Sequence, residues 1–478
     1  MCIRRIKVSV ATLFALTYVA AVEAQVAQPP ARPFRGLFGG SPPDPNHTRQ
    51  ELTLGLELLG GSDDNLVPVG DQSYSVFAPR PSGYSASGAT TLRYWLGRDA
   101  RSVEVTGLGF MNTFRNIGLV PSYGAELRAR AHTTLGRRNR IEVWQNVRYD
   151  PLFWLGAFGP LQVEGGPPIP DSNPTNSLTE RRSWTLGTSA ALSRQWTRRT
   201  MVSVGYGFYR RTDEGGVGFD SQTHVGSLSY QRSLSRSSSW KASYRYSDME
   251  SVDYLDTRWP IEDQTIDLGF LYGRNLSRTR RISFSGGAGA VYIKITDRVG
   301  AIERLVQQRL RWAPSGYGSS QVDLGRTWSV GAEYRRAVSV LQGVAPQPFL
   351  TDAGMLRAAG FLSERIETVF AGAYSNGRTG VGADGRQFGQ FDSYTGTGQV
   401  RILVTQWWSV LAIYSHYQYR LNTVTSRSLG VSPQMHRNSV RVGVTMFLPL
   451  LGSYLGRPGV LADGGKLNHV ARERVLAG

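Results

Sequence analysis

From about Arg49 onward the chain alternates apolar and polar residues in runs of about ten to fourteen, the period of a strand with one apolar face. Leu52, Leu54, Leu56 and Leu58 share one face of the first run, opposite Thr53, Gly55 and Glu57. The grammar returns in Trp240, Ala242, Tyr244 and Tyr246 against Lys241, Ser243, Arg245 and Ser247. It returns again in Ile266, Leu268, Phe270 and Tyr272 against Asp267 and Gly269. Near the end, Val440, Val442, Val444 and Met446 oppose Ser439, Arg441, Gly443 and Thr445. Between such runs a leucine, a small residue and an arginine recur: Leu96-Gly97-Arg98, Leu135-Gly136-Arg137, Leu192-Ser193-Arg194, Leu234-Ser235-Arg236, Leu276-Ser277-Arg278 and Leu324-Gly325-Arg326. Weaker copies follow at Leu362-Ser363-Glu364-Arg365 and Leu403-Val404-Thr405-Gln406.

A period of about 40 to 57 residues marks a repeated supersecondary unit. Each unit reads as strand, tight polar turn, strand and longer loop. That predicts an all-β fold: a closed antiparallel transmembrane β-barrel of about 18 strands, with short periplasmic turns and long extracellular loops. A propeller blade of the same length would need four short strands where this chain offers two long ones. Trp and Tyr beside the turns, among them Tyr94-Trp95, Trp184, Trp196, Trp240, Trp328 and Trp407-Trp408, suit aromatic girdles at membrane interfaces.

The ends read differently. Arg4, Arg5 and Lys7 precede an apolar run from Val8 to Val22 and then Val22-Glu23-Ala24, which predicts a signal peptide over residues 1–24. Residues 25–47 carry Pro29, Pro30, Pro33, Pro42, Pro43 and Pro45, the composition of a flexible periplasmic leader outside the fold. The barrel is expected over 48–451 and a periplasmic tail over 452–478. Cys2 is the only cysteine, so after cleavage neither disulfides nor thiolate metal sites are expected.

The last strand, with Arg441, Gly443, Met446 and Leu448, resembles the C-terminal signal by which the barrel-assembly machinery recognises outer-membrane proteins, although a tail follows it here. Over about Thr48 to Leu451 the repeated Leu-Ser/Gly-Arg turn and the Val-Arg-Val-Gly ending resemble the porin-like outer-membrane barrels associated with bacterial exopolysaccharide and exosortase-type export systems. The resemblance implies an export role, with periplasmic export components as partners. The expected strand number is also that of the alginate exporter, whose basic lumen passes an anionic polymer.

Charge sharpens the expectation. Lys+Arg number 54 against 36 Asp+Glu, a net +18, and lysine supplies only Lys7, Lys241, Lys294 and Lys466. Guanidinium groups grip carboxylate, sulfate and phosphate bidentately, so the balance points to anionic partners. With the apolar face toward outer-membrane lipids, the inward set includes Arg93, Arg128, Arg130, Arg148, Arg211, Arg245, Arg335, Arg357, Arg401 and Arg441. These are the candidate solute contacts of an anion-favouring pore. Inward acids are Glu57, Glu104, Glu126, Glu142, Asp267 and Glu333, and pairing across strands would instead cancel much of the field. A second arginine group in the turns would sit against headgroups.

Residues 60–88 and 154–182 read as long loops that could gate a pore, and the spacing of Ile302, Leu305, Arg309 and Leu310 allows a short helix within 297–316 or an extension of a strand. Histidines are scattered without metal-ligand spacing; His416, taken as inward, is a filler rather than a serine's catalytic partner. No nucleic-acid module, enzyme motif, metal site or cofactor site is expected. The leading function is an outer-membrane channel with a basic lumen exporting an anionic exopolysaccharide. The alternatives are a general or anion-selective porin and a closed barrel acting as a surface scaffold.

Overall fold

A computed structural model describes Leu37 and residues 49–451, apart from 65–81, 99–100, 115–120, 155–176, 215–219, 253–257, 278–279, 298–306, 326, 341–347, 380–389 and 423–432. The chain begins with β1 (Arg49–Asp63), and hairpins follow in order. They are β2 (Gly83–Arg98) with β3 (Arg101–Phe114), β4 (Ser122–Leu135) with β5 (Asn139–Trp154), and β6 (Ser177–Thr197) with β7 (Thr200–Asp213). Next come β8 (Asp220–Ser233) with β9 (Ser238–Val252), β10 (Arg258–Asn275) with β11 (Arg281–Asp297), and β12 (Gln307–Leu324) with β13 (Trp328–Val340). The last are β14 (Pro348–Ser363) with β15 (Ile366–Thr379), β16 (Gln390–Leu403) with β17 (Trp408–Leu421), and finally β18 (Gln434–Leu451). All neighbours run antiparallel, and β1 pairs with both β2 and β18, so the 18-stranded sheet closes without a free edge. Closure is how an all-β chain satisfies every backbone group in a bilayer.

The alternation sets the two faces. Leu58, Leu92, Leu127, Leu268, Leu356 and Val442 point outward and are exposed, while Thr53, Glu57, Glu126, Ser203, Thr265 and Arg401 are buried on the inward face. Outward rings stack in pairs: Tyr230–Trp240 near the short turns, and Tyr149–Trp184, Tyr292–Trp312 and Tyr374–Tyr394 near the long loops. Trp184 therefore belongs to the loop-side girdle, and Trp95, in register with Glu104 rather than with the outward Val103 and Val105, faces the interior. Several loop-side phenols donate to the next strand, Tyr334 to Asp352 at 2.7 Å, Tyr374 to Asp392 at 3.1 Å and Tyr414 to Asn438 at 3.0 Å.

The recurring turn has a local cause. Ser235 Oγ accepts the backbone N–H groups of Ser237 and Ser238, both at 3.1 Å, and Ser277 Oγ accepts that of Arg280 at 3.0 Å. A short hydroxyl satisfies turn donors the ladder leaves open. In two of the three Leu-Gly-Arg copies Gly136 and Gly325 adopt φ of 67° and 66°, where a Cβ would crowd the following carbonyl. Two copies depart from expectation: Leu96-Gly97-Arg98 lies on β2, with Gly97 in register with Ser102. At Leu192-Ser193-Arg194 the strand continues to Thr197, Ser193 is buried and shares a hydrogen bond with Ser203, and the turn falls at residues 198–199. The expected loop regions are also shorter than read. Residues 60–63 and 83–88 belong to β1 and β2, and 177–182 to β6. Arg309 and Leu310 lie on β12, the strand alternative; Ile302 and Leu305 lie outside the described residues, as do the signal-peptide and tail segments.

Candidate functional site

The ten arginines proposed from the sequence all fall on strands at inward register, but most do not present a bare charge. Arg93 Nε lies 2.6 Å from Glu104 and Arg128 Nε 2.5 Å from Glu126. Arg130 Nε lies 2.7 Å from Glu142, and Arg140 approaches the other oxygen of that carboxylate at 3.8 Å. Arg148 pairs with Asp150 at 2.5 Å, Arg211 with Asp213 at 2.9 Å and Arg245 with Asp263 at 3.2 Å. Arg401 and Glu367 pair at 3.4 Å with both side chains wholly buried. Arg357 is half-buried opposite Ala371. Arg441 is buried opposite Gly61 in the β1–β18 seam. Each exposed pair contributes on the order of 1 kcal/mol or less to stability, but each removes most of its own net field from the pore.

The seam itself is fastened by residues that the sequence did not single out. Arg437 forks onto Asp63, Nε to Oδ1 at 2.7 Å and Nη2 to Oδ2 at 2.8 Å, with both side chains buried. Beside it Asn438 donates its backbone N–H and its side-chain amide to Asp64, each at 2.6 Å. Of the residues read as an assembly signal, Arg441 and Gly443 face inward against β1, opposite Gly61 and Leu59, while Met446 and Leu448 face outward opposite Leu56 and Leu54.

On the opposite wall the lining is different. A recess of about 350 Å³ runs over β6 to β13. Ser203, Ser227, Ser229, Ser243, Thr265, Ser315 and Tyr317 give it hydroxyl groups, and Lys241, Arg245 and Arg335 give it positive charge. Its one carboxylate, Asp267, accepts a hydrogen bond from Ser315 at 2.9 Å. Among the described residues neither Lys241 nor Arg335 has an ion-pair partner. Val291 ties the recess to an apolar group of Met249, Ile261 and Ile293 toward the long-loop end. The arrangement offers fixed cations for a carboxylate, hydroxyls for hydroxyls and an apolar flank for a carbon face.

Of the recess cations, Arg245 and Arg335 belong to the sequence-derived set. Lys241 was read as inward but not as a contact, although it is one of only four lysines in the chain. His416 is a correction: it lies on the outward face of β17, hydrogen-bonded to Asn438 Oδ1 at 2.9 Å and edge-on to His436, while Ser415 points inward. The two side chains sit on opposite faces because strand neighbours alternate. Among the described residues no group of three His, Cys, Asp or Glu could hold a metal ion.

No family model matches the chain, and no curated protein matches it. Several solved structures are similar to it. Pseudomonas aeruginosa OccK11 (OpdR) is 13% identical with a TM-score of 0.40, over 85% of this chain and 98% of that one. OccK2 (OpdF) of the same organism, in complex with glucuronate, is 9% identical with a TM-score of 0.42, over 84% and 98%. Acinetobacter baumannii OccAB4 is 10% identical with a TM-score of 0.39, over 85% and 100%.

Proposed function

We propose that the chain is an outer-membrane channel that admits small hydroxylated anions and holds them briefly at the β6–β13 recess. The membrane part of this reading is supported by the closed sheet, the apolar outward face and the two aromatic girdles. A barrel of this strand number is wide enough for an aqueous path. The single observation that carries the solute class is the placement of Lys241 and Arg335, without carboxylate partners among the described residues, in a hydroxyl-lined recess. A solute meeting a few weak contacts can enter and still leave.

This reading takes the place of export of an acidic exopolysaccharide, the leading expectation from the sequence. A polymer conduit calls for a basic track along the whole pore, and the arginines expected to form it are held by Glu104, Glu126, Glu142, Asp150, Asp213 and Glu367. The test is the reversal potential of the refolded protein in a planar bilayer under a potassium chloride gradient. The channel reading expects a stable conductance with anions more permeant than cations. A cation-selective pore sinks it, and a barrel that never conducts sinks it and leaves the scaffold.

A further inference from the structure

The short-turn rim carries its charge unevenly. Three backbone hydrogen bonds knit neighbouring hairpins there, each at 2.8 Å: Gln195 N–H donates to the carbonyl of Arg138, Ser233 N–H to that of Arg199, and Gly273 N–H to that of Ser237. They place Arg138, Arg194, Arg199, Arg232, Arg236 and Arg274 on one arc, from the β4–β5 turn to the end of β10. All six side chains are exposed, and among the described residues none has an ion-pair partner. Arg194, Arg232 and Arg274 lie on the outward face of their strands, which they share with the exposed Leu192, Leu228 and Phe270. Every carboxylate of β6 to β10 lies in the long-loop half of its strand, except Asp267, which faces the recess. Across the barrel the β16–β17 turn, Val404-Thr405-Gln406-Trp407, has no charge, and Leu362, Ile402 and Trp408 are exposed near it.

We propose that this arc is a binding surface for anionic phospholipid, whose phosphates it gathers on one side of the barrel. The sequence placed turn arginines against headgroups; the sector, and the strand arginines in it, come from the closed sheet. Aromatic rings interleave with the charges. Tyr230 and Trp240 stack with centroids 5.1 Å apart, Arg232 is in register with Trp240, and Trp196 is exposed two residues beyond Arg194. Amphipathic rings settle where acyl chains meet headgroups, so arginines at their level meet phosphates. Within a bilayer the outward face of a strand is reached by lipid and not by a periplasmic protein. Arg194 is level with Tyr230 through Val202, and Arg232 is two residues further along β8. Two strand spacings and two residues set their Cα atoms about 12 Å apart, a gap that two extended arginine side chains close around one phosphodiester. Guanidinium forks grip such a group bidentately. The neutral arc opposite is left to zwitterionic lipid. This surface needs a barrel in a bilayer but no conduction through it.

The test is lipid binding to the refolded full chain, read by native mass spectrometry from detergent during titration with dioleoylphosphatidylglycerol or dioleoylphosphatidylcholine. The arc predicts that the first phosphatidylglycerol binds about fivefold or more tighter than phosphatidylcholine, the factor that one basic residue at an anionic surface supports. The variant Arg194→Gln, Arg232→Gln, Arg274→Gln should lose that preference. A control removes the same charge from exposed outward positions near the long loops, Arg210→Gln, Arg378→Gln, Arg420→Gln, and should keep it. No preference in wild type, or an equal loss in both variants, overturns the proposal. So does tighter binding of hexaglutamate than of phosphatidylglycerol, which marks a surface for an acidic protein instead. None of the three arc arginines is ion-paired among the described residues, and heat-modifiable electrophoretic mobility checks that each variant is folded. Lipid binding is read without any current, so its failure is distinguishable from failure of the channel reading.

Discussion

Two walls of the same barrel treat inward charge in opposite ways. Along β15 to β18 and β1, Arg401 and Arg437 are wholly buried and each is matched to a buried carboxylate, among Tyr417, Tyr419, Phe391 and Leu411. Along β6 to β13, Lys241 and Arg335 face the lumen without such a match, between serines. The primary sequence marks both with the same inward basic residue on an alternating strand. What separates them is desolvation: a buried charge needs a partner to be tolerated at all, whereas a charge in water can be left available for a solute. The first two charges are therefore structural, and Lys241 and Arg335 are left open to the lumen.

The largest effect that would break this contrast is expected at Asp63. Asp63→Ala leaves Arg437 buried without its fork and is expected to cost about 3–5 kcal/mol, read as a lowered urea midpoint for the folded barrel. An unchanged midpoint would place the seam's stability elsewhere. A change confined to function is expected on the other wall. Replacing Lys241 and Arg335 together with Gln should lower the anion-to-cation permeability ratio, with stability unchanged. Each charge removed is worth about fivefold at close approach in water, from roughly 1 kcal/mol at 4 Å. A ratio that stays put would mean that the recess does not face the permeation path. The smallest effect sharpens the comparison: Arg93→Gln with Glu104→Gln removes an exposed pair as a neutral unit. It should move neither selectivity nor stability by more than about 1 kcal/mol.

The fold was legible because its signals are local. Alternation such as Leu52 to Leu58 defines faces, and hydroxyl-capped turns such as Ser235 punctuate strands, so strand number and register follow within each hairpin. Some of the charge pairing was within reach too: once Leu135 faces Asn139, Arg130 lies opposite Trp144 and diagonal to Glu142. The motif misled at Leu192-Ser193-Arg194, where the alternation runs past it to a tighter two-residue turn. Contacts that depend on closure were not legible. Asp63 and Arg437 are 374 positions apart. No periodicity links such partners; they meet only when the first and last strands do. Lys241 carried a compositional signal, as a rare lysine on an inward face, but its lack of a partner is a property of the assembled wall.

The most direct test of the recess as the binding wall is current block by a small polyhydroxylated carboxylate. Sodium gluconate added to a single wild-type channel is predicted to produce resolved interruptions whose frequency rises with concentration. The same addition to the channel carrying Lys241→Gln and Arg335→Gln should leave the current nearly uninterrupted. Equal block in both channels, or none in either, would contradict the account.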